Sequence, residues 1–236
     1  MSSAASNIAA KNFLISEETP TVLVELFTSQ GCPSCPPADA MLRSLKGTDG
    51  VMVLSWPIDY WDRLGWEDTF ARSEHSMRQS AYNKRIGMSG VYTPQMIFNG
   101  IYEAKGSDKS MVTAALQKAK GRARLTLNPK LVISKDNVTI NLPKAALEDG
   151  AQIRLVYFIE KASVAVRGGE NNGRTLHYTH VVRQADVIKD WTGEPISLSM
   201  PLIKPESEVT HIAVLVHKRY GQGVVLGASA GKIPSE

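Results

Sequence analysis

Residues 21–45 read TVLVELFTSQGCPSCPPADAMLRSL, and this stretch decides the fold of the first half of the chain. Residues 21–28 are β-branched and apolar, the pattern of a buried strand. A short polar turn follows, then Cys32-Pro33-Ser34-Cys35-Pro36-Pro37. From 38 to 45 the apolar positions 38, 41, 42 and 45 share one helix face. Pro36 and Pro37 fit only the first turn of that helix, where a missing N–H costs nothing. Strand, Cys-x-x-Cys and helix therefore follow one another directly.

Working outward, residues 51–56 read as a second buried strand. The loop 59–66, Asp-Tyr-Trp-Asp-Arg-Leu-Gly-Trp, crowds aromatic and charged residues after it. A helix is expected from about 68 to 86, with Phe70, Met77 and Ala81 inward, Glu74 and Arg78 paired at i,i+4, and Gly87 as its stop. Thr93-Pro94 then opens a hairpin whose strands, 95–98 and 101–104, are joined by Asn99-Gly100. A last helix runs from 107 or 108, where Asp108 is a good N-cap, to 120. The order is β-α-β-α-β-β-α, an α/β arrangement.

Beyond residue 125 helical periodicity almost vanishes. Strands are expected at 125–133, 137–142, 152–160, 176–182, 195–202 and 209–217, with a further one at 224–228. The expected fold class is thus α/β: a domain at 18–122 followed by an all-β sandwich at 123–236.

The whole chain has 236 residues, 43% of them hydrophobic, and a net charge of +4. No basic run or basic helix points to nucleic acid or a membrane surface. No window reaches the roughly 18 apolar residues of a membrane span. Residues 1–20 have neither a basic start nor an apolar stretch of signal length. A cytoplasmic protein is expected on that basis; a periplasmic or secreted one is the alternative.

Cys32 and Cys35 are the only cysteines. Disulfide exchange needs an attacking thiolate and a second thiol near enough to resolve the mixed disulfide. Two intervening residues at a helix start supply both, and the helix dipole favours the thiolate of the first. Cys32 is therefore the candidate nucleophile, expected to be exposed, and Cys35 the resolving thiol. Zinc usually needs four ligands, and no second pair completes a set, so no metal and no cofactor is expected. A structural disulfide and thiolate metal capture are the competing readings. The expected partner is a protein or small-molecule thiol or disulfide.

Strand–CPSC–helix followed by Tyr92-Thr93-Pro94 resembles the thioredoxin fold. The resemblance implies a cis Pro94 facing the disulfide and a Thr93 whose backbone holds an extended substrate; Pro33 and Ser34, a dipeptide closer to glutaredoxin and periplasmic oxidase types, are further candidates for substrate binding. The segments VELFTSQGCPSCPPAD (24–39), DYWDRLGW (59–66), YTPQ (92–95) and GENNGRTLHY (169–178) are also similar to a bacterial thioredoxin-like family of unknown function, many of whose members look secreted. That likeness covers most of residues 20–230.

Three departures from the thioredoxin pattern stand out. Gly31 replaces the usual Trp before the first cysteine, two prolines open the helix, and Leu26 stands where a buried acid is usual. Glu25, one position earlier, is either a proton acceptor for Cys35 or a strand-end carboxylate. A one-residue offset in a strand changes its face. Trp61 and Trp66 are candidates for a substrate wall or for core anchors. The loop 168–174 is either a cover over the CPSC site, touching a partner through Glu170 or Arg174, or an ordinary hairpin turn. His177, His180 and His211 read as strand residues.

Overall fold

The computed structural model describes residues 14–15, 20–219 and 223–234. The N-terminal residues read for an export signal lie otherwise outside that range. The chain is a mixed α/β protein with three helices and two sheets among the described residues.

β1 (Leu14–Ile15) comes first, and β2 (Val22–Thr28) is buried along its whole length. Its alternation splits the core in two. Val22, Val24 and Leu26 face α1 (Cys35–Leu45), meeting Ala38 and Leu42. Leu23 and Phe27 point to the opposite face, toward Trp56 and Tyr82. β3 (Val51–Pro57) lies parallel to β2, as the βαβ connection through α1 requires. β4 (Gln95–Phe98) pairs antiparallel with β2, and β5 (Tyr102–Lys105) with β4. Their turn uses Asn99 and Gly100, both at positive φ, which is what the Asn-Gly signal predicts. α3 (Lys109–Arg122) starts at Asp108, whose carboxylate accepts from the backbone of Ser110 and Met111.

α2 (Ser73–Ile86) corrects the expectation in two ways. It starts at 73 because the Asp68 carboxylate accepts from the backbone of Gln30 and Phe70, holding 68–71 as a turn. Its inward face is polar: His75, Arg78, Gln79, Tyr82 and Asn83 are buried, while Met77 is 61% exposed. Arg78 pairs with the buried Glu25, not with Glu74.

The C-terminal half contributes β6 (Lys130–Ile133), β7 (Asn137–Leu142), β8 (Ala151–Ala165), β9 (Thr175–Trp191), β10 (Ile196–Pro201), β11 (His211–Lys218) and β12 (Val225–Lys232). Four of them extend the first half's sheet, giving the order β12-β11-β8-β9-β3-β2-β4-β5. The other sheet runs β1-β6-β7-β10 and packs Leu131, Val138 and Ile140 against Ile153, Val214 and Val216. At the β3–β9 joint Ser55 registers with Val181, and the His180 ring donates from Nδ1 to the Val53 carbonyl at 2.8 Å. One core unites both halves, with Leu23, Phe27, Leu54 and Trp56 packed among Val156, Phe158, Val182 and Leu215. β8 and β9 are far longer than expected. They form a hairpin whose tip, residues 166–174, reaches back to the Cys32 loop.

Candidate functional site

The site forms where four loops converge at the carboxyl end of β2. Cys32 and Cys35 are disulfide-bonded, with Cα atoms 5.4 Å apart. Cys35 begins α1; Pro36 and Pro37 occupy its first turn. The Ser34 hydroxyl lies 3.5 Å from the Cys32 sulfur. Pro33 and Ser34 are exposed.

Both cysteines, however, are 0% exposed, so the expectation of an open Cys32 is corrected. The cover comes from the other half of the chain. Asn171, itself fully buried, donates from Nδ2 to the carbonyls of Gln30 and Cys32, each at 2.9 Å. Arg174 donates to Asn171 Oδ1 at 2.7 Å and fixes which way the amide points. Glu170, expected to touch a partner, is exposed at the hairpin tip. The 168–174 loop is rich in Gly and Asn, and the residue that anchors it to the cysteine loop is Asn171.

A second loop is pinned just as firmly. Trp61 Nε1 donates to Thr93 Oγ1 at 2.8 Å, and its Cβ packs on Gly31, where an added Cβ would sit 3.2 Å away. Trp66 Nε1 donates to Gln30 Oε1 at 2.8 Å. The Trp66 indole therefore ties residues 59–66 to the cysteine loop, and the Trp61 indole ties them to the Thr93–Pro94 turn. The Thr93–Pro94 bond is cis. The polar face of α2 positions that turn: Gln79 donates to the Tyr92 carbonyl and to Gln95, and Gln95 donates in turn to Asn83.

Glu25 is not part of this constellation. β2 turns its side chain away from α1, toward α2. There Oε1 accepts from Arg78 at 2.8 Å and Oε2 from Tyr82 at 2.6 Å. The one-residue offset from Leu26 is the reason.

A different carboxyl occupies the face that Glu25 leaves. Asp39 sits one helical turn beyond Cys35, on the buried side of α1 beside Ala38 and Leu42, and is 5% exposed. Its Oδ1 and the nearby Thr28 Oγ1 are buried without a hydrogen-bond partner of good geometry, and so is Tyr178 Oη. Burial pushes the Asp39 carboxyl well above the ordinary carboxylate range; Thr28 opposes this, Asp68 adds to it, and Arg43 opposes it. Asp68, also buried, is pushed up to about 6, with its backbone hydrogen bonds to Gln30 and Phe70 working against the rise. The available sequence signal was an acid at i+4 from Cys35 on an otherwise apolar helix face.

Among the described residues, no group of three or more His, Cys, Asp or Glu side chains is placed to hold a metal ion. Nor is any helix there long and apolar enough to cross a membrane.

The chain resembles two solved structures. One is a crystal structure of an Agrobacterium tumefaciens protein, 31% identical, with a TM-score of 0.78 over 94% of this chain and 97% of that one. The other is HBP35 of Porphyromonas gingivalis, 10% identical, with a TM-score of 0.59 over 92% of this chain and 76% of that one, a likeness of fold alone. A search of curated proteins found no match. A family model described as protein of unknown function (DUF1223) matches residues 23–217. With that match over most of its length, the chain belongs to the DUF1223 family.

Proposed function

We propose that the protein is a thioredoxin-like thiol–disulfide oxidoreductase acting on a protein or small-thiol substrate. The observation that carries this reading is the placement of the Cys32–Cys35 disulfide at the first turn of α1, with the buried, protonatable Asp39 one turn beyond it. The thioredoxin-like part is residues 18–122, and residues 123–236 supply the β region whose hairpin tip covers the dithiol.

In the reducing direction the Cys32 thiolate attacks one sulfur of a substrate disulfide. That S–S bond breaks, a mixed disulfide forms, and the first substrate thiolate leaves and takes a proton from solvent. Cys35 then loses its proton to the Asp39 carboxylate and attacks the Cys32 sulfur. The second substrate sulfur departs as a thiolate as the Cys32–Cys35 bond forms, and takes up a proton from solvent. The substrate gains two electrons, and an external thiol must return them to the pair. Run backward, the same steps oxidise a dithiol substrate. A buried carboxyl held above the ordinary carboxylate range suits this role, because its ionised form accepts a proton more readily than a free carboxylate does. In this reading Thr93, Pro94 and Trp61, with Pro33 and Ser34, would line the substrate groove and align an extended substrate.

One observation favours a second reading. Both cysteines are sealed from solvent, as a static bridge in a scaffold protein would be. The reduction potential decides. The protein is equilibrated in thiol/disulfide buffers and its alkylated cysteines are counted by mass. A value between roughly −120 and −270 mV supports the oxidoreductase. A pair still oxidised below roughly −300 mV overturns it in favour of the scaffold.

A further inference from the structure

The sheet face opposite α1 carries a cavity of about 360 Å³, between α2, β3, β8 and β9. That volume falls within the roughly 300–1,000 Å³ range of small-molecule sites. Its lining is dominated by guanidinium groups: Arg72 and Arg78 from the α2 side, Arg154 from β8 and Arg183 from β9, with Trp56 and His75 beside them.

Three of the four arginines have carboxylate partners. Arg72 and Arg183 share Glu206, and Arg78 is bonded to Glu25. Arg154 differs. Its Nη1 donates to the Ala185 carbonyl at 2.9 Å, but it makes no salt bridge among the described residues, and its Nε is buried without a partner. Trp56 Nε1, on the same cavity, is a second buried N–H without one. Buried donors in native proteins are nearly always satisfied, so two orphans lining one cavity point to a ligand rich in acceptors.

The surroundings agree in sign. Burial lowers the His75 imidazole to about 4, and Arg72, Arg183 and Arg78 add to that effect, leaving the ring neutral. Its Nδ1–H donates to the Pro57 carbonyl at 2.8 Å. Burial likewise depresses Arg154, to about 10, with Arg78 pressing it further. The lining acids offset much of the arginine charge, and Arg154 is the guanidinium without a salt-bridged carboxylate among the described residues. Glu206 is committed to two arginines, Asp186 takes a bond from Gln184, and Glu74 takes one from Ser73.

We infer that this cavity is a binding site for the oxyanion head group, phosphate or carboxylate, of a small molecule, with Arg154 and the Trp56 N–H as its donors. Guanidinium forks match both head groups in charge and geometry. The inference goes beyond the dithiol reading and does not depend on it, since the cavity lies on the other face of the sheet from α1.

The test titrates the full chain with sodium phosphate, and separately with sodium acetate, against sodium chloride at matched ionic strength. Thermal midpoint is the readout, because a ligand that binds only the folded state raises it saturably. A saturable rise with either oxyanion and none with chloride is expected, and the tighter of the two names the head group. Arg154→Met should weaken half-saturation by about tenfold or more, the loss of one charge-assisted contact. Should that variant fail to fold, the indole N–H signals of the unaltered protein are followed by NMR, and one of the four should move saturably. No saturable response to either oxyanion, no shift of an indole signal, or an unchanged response in folded Arg154→Met overturns the inference.

Discussion

Across 139 residues of chain, the side-chain amide of Asn171 donates to the main-chain carbonyl of Cys32 at 2.9 Å. A second bond from the same nitrogen holds Gln30. The tip of the β8–β9 hairpin is thus latched onto the backbone that carries the disulfide. Both cysteines are buried beneath this arrangement, so loosening the latch is expected to ease access to Cys32.

Replacing Asn171 by Ala removes both bonds and leaves two carbonyls without their donor. A loss of about 1–3 kcal/mol in stability is expected. The Cys32–Cys35 pair should meanwhile be reduced faster by dithiothreitol, because its cover is loosened. Stopped-flow reduction together with chemical denaturation checks both halves. A slower or unchanged rate would show that the latch does not control access.

Asp39→Asn separates chemistry from stability. Burial raises the Asp39 carboxyl in the folded state, so the native protein holds that proton to higher pH than the unfolded chain does. Folding stability therefore falls as pH rises from the ordinary carboxylate value through the raised one. The Asn variant never ionises, so it should have the higher thermal midpoint at pH 8 and lose that advantage near pH 3. Its disulfide exchange should be slower at neutral pH and lose one ionisation from the rate profile. A profile identical to the parent's would remove Asp39 from the proton path.

Glu25→Gln should behave in the opposite manner. It leaves the buried Arg78 guanidinium without its charge partner, at 2.7 Å in the native protein. Breaking such a pair costs about 3–5 kcal/mol. The pH dependence of exchange should stay unchanged, since Glu25 faces away from Cys35. Urea unfolding and the pH–rate profile, measured side by side, test the pair of outcomes.

Asn99→Ala strikes the hairpin turn and its attachments together. The Asn99 side-chain Oδ1 accepts from Leu23 N at 2.6 Å, and its Nδ2 donates to the carbonyls of Thr21 and Ala123. The stranded Leu23 N–H costs about 1–3 kcal/mol, and Ala at positive φ about 1–2 more. A denaturation midpoint shifted by less than 1 kcal/mol would mean that water replaces these bonds.

How far the sequence could be read follows from what each segment buries. Residues 22–28, 35–45 and 51–57 were legible because apolar side chains at strand or helix spacing report their own burial. Asn99-Gly100 was legible because few residues accept the backbone angles of that turn. The inward face of α2 was hidden, since Arg78 is buried by its bond to Glu25 on β2, and Gln79 and Asn83 by theirs to residues 90–95, none of which the periodicity of α2 itself reports. The second half of β9 was hidden as well, because Arg183 to Trp191 mixes charged and apolar residues without a clean alternation. For the site, Cys32 and Cys35 stood out by spacing, and Pro94 through the resemblance to the thioredoxin fold. Asp39 and Asn171 did not, because what distinguishes them is a neighbour: the face of α1 shared with Cys35 for one, and the carbonyls of Gln30 and Cys32 for the other.

The β3–β9 joint has a practical corollary for anyone dissecting the molecule. A fragment ending after Arg122 would leave β3 as an open strand edge and strip Leu23, Phe27 and Trp56 of half their apolar company. Unpaired, largely apolar edges recruit other chains. Such a fragment should precipitate or self-associate even though it holds every cysteine the protein has, so redox assays belong on the intact chain.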